Sequence, residues 1–124
     1  MSSNKNPFEA EVFRKEYVKQ RNAQREYDLV LAQTKLRYLM EHINSDLVPL
    51  PPEAPFLSSE EKRKIKQEVV HMYETNIEKF VTDEKNKSPD VPVSQIRLEV
   101  KNGMVYYMFY YVMKLQSEID PSLL

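Results

Sequence analysis

The chain has 124 residues, 30% of them charged, yet its formal net charge is only −1, so no global field recommends nucleic acid or an anionic membrane as a partner. It has no cysteine, which removes disulfide frameworks and thiolate chemistry. No apolar run approaches the ~20 residues a membrane helix requires, and this length suits one small domain with a modest core.

The N-terminal stretch Met1 to Glu11 has no apolar signal core and carries early glutamates, so the expectation is an intracellular protein, cytoplasmic or nuclear and not secreted. Residues 1–5 are expected to form a flexible tail ahead of a single small domain over 6–124. Asn6-Pro7-Phe8-Glu9 then has the pattern of a helix start, with Asn6 as cap, Pro7 at the first helical position and Glu9 as a capping-box partner. No proline or glycine interrupts the chain from there to about Leu47. The apolar stripe is rough (Phe8, Val12, Tyr17, then Tyr27, Val30 or Leu31, Tyr38, Met40), and Lys19 to Glu26 is polar all round apart from Ala23. One long helix over about 7–47 is preferred to two short ones.

Asn44-Ser45-Asp46 begins the exit, and Val48 to Pro55 is a Pro-rich connector that cannot be helical and is expected to be extended. It is long enough for the two helices to return antiparallel. Ser58 and Glu61 form a second capping box, opening a helix over about 59–83 whose buried side is marked by Ile65, Val69, Met72, Ile77 and Phe80. The helix pair spans 6–85, and Asn86 to Pro92 makes a second, polar linker.

Asn102-Gly103 holds the only glycine, and Asn-Gly between apolar runs is a strong hairpin signal. A two-residue turn there pairs Val100 with Val105, Leu98 with Tyr107 and Ile96 with Phe109 on one apolar face. The opposite face pairs Glu99 with Tyr106, Arg97 with Met108 and Gln95 with Tyr110. This predicts a β-hairpin (about 94–101 and 104–114, within 93–115), a tail over 116–124, and an α+β fold. A helix over Met104 to Ile119 competes with the hairpin, but would be apolar on nearly every side over its first ten residues.

Little supports catalysis. His42 and His71 lie in different helices, neither at metal-ligand spacing with another His or Cys, and one glycine rules out a Gly-rich phosphate loop. The expectation is a non-enzyme without metal or cofactor. Protein binding fits more features, because Tyr, Phe, Met and Arg are enriched at interface cores. Tyr106, Met108 and Tyr110, with Met104 and Arg97, are the candidate contact residues of a subunit or adaptor that binds other subunits or a second copy of itself. The long first helix could also extend past the core and form a coiled-coil seam with another chain. The alternative is an RNA- or DNA-contacting accessory protein using Arg14, Lys15, Arg21 and Arg25 on helix one, since phosphates need such cations. Asn6-Pro7-Phe8, the P-x-x-P spacing of Pro49 to Pro52, Ser58 and Ser88-Pro89 are short motifs that local structure explains without a ligand or a kinase.

Overall fold

The computed structural model describes residues 7–119, with side chains from residue 9, and shows three helices: α1 (Pro7–His42), α2 (Ser59–Lys87) and α3 (Val93–Ile119). The expected tail over 1–5, the Asn6 cap and residues 120–124 lie outside the described residues. No strand occurs among the described residues, so the fold is all-α rather than α+β. The predicted hairpin over 94–101 and 104–114 is instead the body of α3.

α1 ends at His42, earlier than expected, and its stop is local. Asn44 takes φ of 51°, the Ser45 amide donates to the Met40 carbonyl at 2.9 Å, and the Asn44 amide donates to Glu41 at 3.4 Å. That pair of bonds around a left-handed residue satisfies carbonyls the last turn would leave open.

The connector then turns back along α1. Arg37 donates through Nη1 to the Pro51 carbonyl at 2.7 Å and pairs through Nη2 with Glu53 at 3.1 Å. Val48, Pro51, Ala54 and Leu57 are the buried residues of this stretch. Their spacing of three matches an extended polyproline-type chain, which repeats every three residues and so presents one side continuously. Thr34, buried on α1, bonds its own Val30 carbonyl at 2.8 Å and leaves no donor unmet.

Because the connector makes the return, α2 does not. The Ser58 hydroxyl accepts from the Glu61 amide at 3.1 Å while the Glu61 carboxylate accepts from the Ser58 amide at 3.2 Å, so the expected capping box is present. From there α2 runs in the same direction as α1: Glu53, beside Arg37, also reaches Lys62, and His42 at the end of α1 meets the Tyr73 ring and Glu74. The expected antiparallel return is therefore made by α3. Its Arg97 meets Glu78 of α2, its Tyr111 shares a hollow with Asp28 and Ala32 of α1, and its Glu118 pairs with Arg25.

α2 ends later than expected, at Lys87. There Lys85 Nζ donates to the carbonyls of Pro89 (2.7 Å) and Val91 (2.8 Å), tying the linker to the helix. Pro92 offers its carbonyl to the first amides of α3, those of Gln95 and Ile96.

The three helices are offset along their length. The core gathers Ala32, Leu36, Leu39 and Met40 of α1 with Ile65, Val69, Tyr73, Ile77 and Val81 of α2, and Ile96, Val105, Val112 and Leu115 of α3. Every described side chain from Glu9 to Arg21 is exposed. The first fifteen residues of α1, about 22 Å of helix, thus project past the end of the bundle.

The hairpin fails for reasons visible in α3. Type I′ turns require positive φ at both central residues, and Asn44 is the only described residue with one. Asn-Gly in a helix interior costs only about 1.5 kcal/mol relative to two alanines, a small sum against 27 residues of continuous helical bonding. The objection that such a helix is apolar all round dissolves because its buried side migrates. Ile96 and Val105 are nine residues apart, about two and a half turns, so they bury opposite sides of α3.

Gly103 tests this directly. A Cβ placed there meets no atom within 4 Å, and its φ is not positive. Gly103→Ala is therefore expected to stabilise the protein by about 0.5–1 kcal/mol in urea unfolding, whereas a turn glycine would lose stability on the same change.

Candidate interaction surface

Helical geometry redistributes the residues that a hairpin would have put on one face. Tyr106 and Tyr110, one turn apart, stay outward. Met108, their expected companion, packs against the core along with Met104 and Phe109. Tyr107, expected on the inner face, is the most exposed aromatic of α3 at 75%, and Tyr110 follows at 68%. With Tyr111 and Met113, also exposed, these side chains cover one broad outer side of α3. The sequence contained the signal, four tyrosines within six residues, but only helical phase reveals that all four share a side with Met113.

Arg97 is not on that surface. It makes a two-pronged contact with Glu78, Nη1 to Oε1 at 2.7 Å and Nη2 to Oε2 at 3.2 Å, and so fastens α3 to α2. The bond from Arg97 holds the Glu78 carboxyl below its ordinary value of 4.5, and the same contact raises the guanidinium.

Beside the tyrosines runs an apolar groove of about 410 Å³, lined by Met72, Asn76 and Phe80 of α2, Gly103, Met104, Tyr107 and Met108 of α3, and Leu39 of α1. It arises from how α2 packs. The buried residues of α2 recur at strict intervals of four, from Ile65 to Val81. Such a row is inclined roughly 26° to the helix axis. The neighbouring row, Met72, Asn76, Phe80, lies just outside it. Gly103, with no side chain, keeps the facing wall of α3 low. Met72 and Phe80, expected in the core, are instead partly open on the groove wall.

The basic residues of α1 part company. Arg14, Lys15 and Arg21 are exposed on the projecting half, whereas Arg25 is paired with Glu118 of α3. Seven-residue steps put Arg25 in line with buried Ala32 and Leu39, whereas Arg14 and Arg21 fall in line with Asp28 and Lys35, which are only half-buried. Arg14 and Lys15 border a hollow with Val18, Lys19, Asn22, Ala23 and Glu26, all from the one helix.

No group of three or more metal-ligating side chains occurs among the described residues, and none of their helices is long and apolar enough to cross a membrane. His42 lies edge-on to Tyr73 with its Nε2 3.6 Å from Glu74, while His71 is exposed on α2. Burial raises the hydroxyls of Tyr38 and Tyr73, which moves both away from neutrality. The P-x-x-P stretch is engaged within the chain, because Pro51 is buried and its carbonyl is held by Arg37.

Compared with protein-family models, with the sequences of curated proteins and with solved structures, the chain matches none.

The Glu78–Arg97 contact predicts a pH dependence with a definite sign. The native carboxylate binds its proton less tightly than the unfolded one, so the contact's contribution is complete above the unfolded value near 4.5 and is lost as pH falls through the lower native value. Glu78→Gln is expected to be less stable than the parent near neutral pH, with the gap closing as pH falls below the lowered native value and narrowing in high salt. Urea titrations at the two pH values would expose an error as a gap that stays constant.

Proposed function

We propose that this chain is a non-catalytic interaction subunit or adaptor that docks another protein on the outer side of α3 and the adjoining groove. The observation that carries the reading is the contiguous exposure of Tyr106, Tyr107, Tyr110, Tyr111 and Met113 beside a groove walled by Met72, Phe80, Met104 and Met108. Tyrosine brings large, rigid contact area with a polar tip, and methionine adapts its shape to what it meets. Apolar surface collected in one patch gains free energy when a partner excludes water from it. The α1 seam adds a second, more polar contact region on the projecting half.

A second reading, nucleic-acid contact through Arg14, Lys15 and Arg21, is favoured by their exposure on a helix standing clear of the bundle. Salt separates the two, since phosphate contacts weaken steeply with added salt and an aromatic patch does not.

Replacing Tyr106, Tyr107 and Tyr110 together by Ser is expected to weaken partner binding by about 100-fold, at roughly 1 kcal/mol per contact residue. Because all three are exposed, far-ultraviolet helix signal and the unfolding midpoint are expected to stay near those of the parent. Partner retention by the immobilised chain, at low and high salt, measures both readings. Retention that survives the triple change but collapses in salt and with Arg14→Glu/Arg21→Glu would transfer the role to α1.

A further inference from the structure

Asn102-Gly103 carries a chemistry besides its freedom to turn. An asparagine followed by glycine can modify itself, because glycine has no side chain to crowd its own amide nitrogen. That nitrogen bonds to the Asn102 side-chain carbonyl carbon. The bond from this carbon to the side-chain nitrogen breaks, and ammonia leaves with the proton that the Gly103 amide gave up. Water then opens the five-membered imide at either carbonyl. One opening yields aspartate, and the other yields isoaspartate, in which the main chain runs through the former side chain and is one methylene longer. Water is the only co-reactant, and nothing is oxidised or reduced.

The structure supplies the reagents and withholds the geometry. Asn102 is half-buried, Gly103 is exposed, and a Cβ placed on Gly103 meets nothing within 4 Å, so water reaches the pair. Both residues nevertheless lie inside α3. There the Gly103 amide belongs to the helical ladder, directed at the Glu99 carbonyl one turn before it. Helical backbone holds ψ near about −42°, whereas closing the imide ring swings the Asn102 ψ far from that value. The reaction therefore waits until this turn of helix opens. Asn44-Ser45 lies outside the helices, with Asn44 at φ 51°, but its serine crowds the attacking nitrogen.

Position also decides what the product does. Asn102 stands between Ile96 and the fully buried Val105, which cover opposite sides of α3. An extra methylene between them interrupts the ladder and turns the second half of the helix, with Val112 and Leu115, out of phase with the first.

We propose that Asn102 is a self-modification site that α3 keeps closed. Opening of the middle of α3 releases its conversion to aspartate and isoaspartate, and the isoaspartyl chain cannot rebuild the helix. The step is one-way, so a chain that stays open is marked and kept from its native fold. The inference is independent of the docking role of α3.

The test follows Asn102 in the full chain at neutral pH by peptide mapping with mass spectrometry, which separates it from Asn44. Enzymatic methylation of isoaspartyl carboxylates gives a second readout. A peptide of residues 98–107 sets the unrestrained rate. The native chain is expected to convert Asn102 at least about tenfold more slowly than the peptide, and the urea-unfolded chain to match the peptide in the same urea. Gly103→Ala is expected to keep the helix signal and to slow conversion even in urea. The separated isoaspartyl chain is expected to lose far-ultraviolet helix signal and to unfold at lower urea than Asn102→Asp, which carries the same charge on an unaltered main chain.

Native conversion at the peptide's rate overturns the proposal, because α3 then guards nothing. An unfolded chain that stays unconverted while the peptide reacts does the same. So does an isoaspartyl chain as stable as Asn102→Asp, which would show that the helix absorbs the longer main chain.

Discussion

The backward run of the connector along α1 governs the architecture. Ten residues from Val48 to Leu57, extended at about 3 Å each, carry the chain back along α1 so that α2 starts behind the end of α1. The period of three in Val48, Pro51, Ala54 and Leu57 lets that run bury one side throughout. Arg37 holds its midpoint by bonding a carbonyl that proline-rich chain cannot satisfy by itself. Everything else inherits this geometry: α2 lies parallel to α1, α3 supplies the return, and the bundle is offset at both ends.

Offset has chemical consequences. At one end the α2–α3 pair runs past His42 and closes on itself through Arg97, Glu78 and Lys85, so its tip is held by polar contacts as well as by Ile96, Ile77 and Val81. At the other end the described side chains of α1 are exposed from Glu9 to Arg21, and along the helix Ala32 and Leu36 give way to Arg25, Asn22 and Lys15. Between the two ends, the inclined row of buried residues on α2 opens the groove. The result is a small bundle that keeps a dense centre and leaves its tyrosines, its methionine-lined groove and the basic residues of α1 on the surface.

Much of the local structure was legible. The Ser58–Glu61 capping box, the proline-broken connector, the linker at Ser88–Pro92 and the uninterrupted first helix all follow from side-chain chemistry within four residues of each position. The Asn44 stop was present too, as an asparagine beside the last apolar turn, although the helix was carried on to Leu47. The largest error came from Asn102-Gly103. That dipeptide permits a turn without compelling one, and the alternation of residues on either side satisfies a strand and a broadly buried helix equally well. What removed the ambiguity is the presence of two different neighbours, α2 for the first turns of α3 and α1 for the last, a fact with no local trace. The outer side of α3 differs accordingly: Tyr106 and Tyr110 lie outward as a hairpin would also have them, whereas Met108 packs against the core, Arg97 reaches Glu78, and Tyr107 is exposed rather than inward.

Sequence alone thus determined where helices begin, where the chain must be extended, and that an unusual density of tyrosine and methionine is packed into one stretch. Those are short-range matters of capping, missing amides and composition. Which of those side chains are covered, which way α2 runs, and that a groove opens beside Gly103 were decided only by the tertiary structure. They depend on the angles and levels at which three helices meet, and those are set by contacts between residues far apart in the chain.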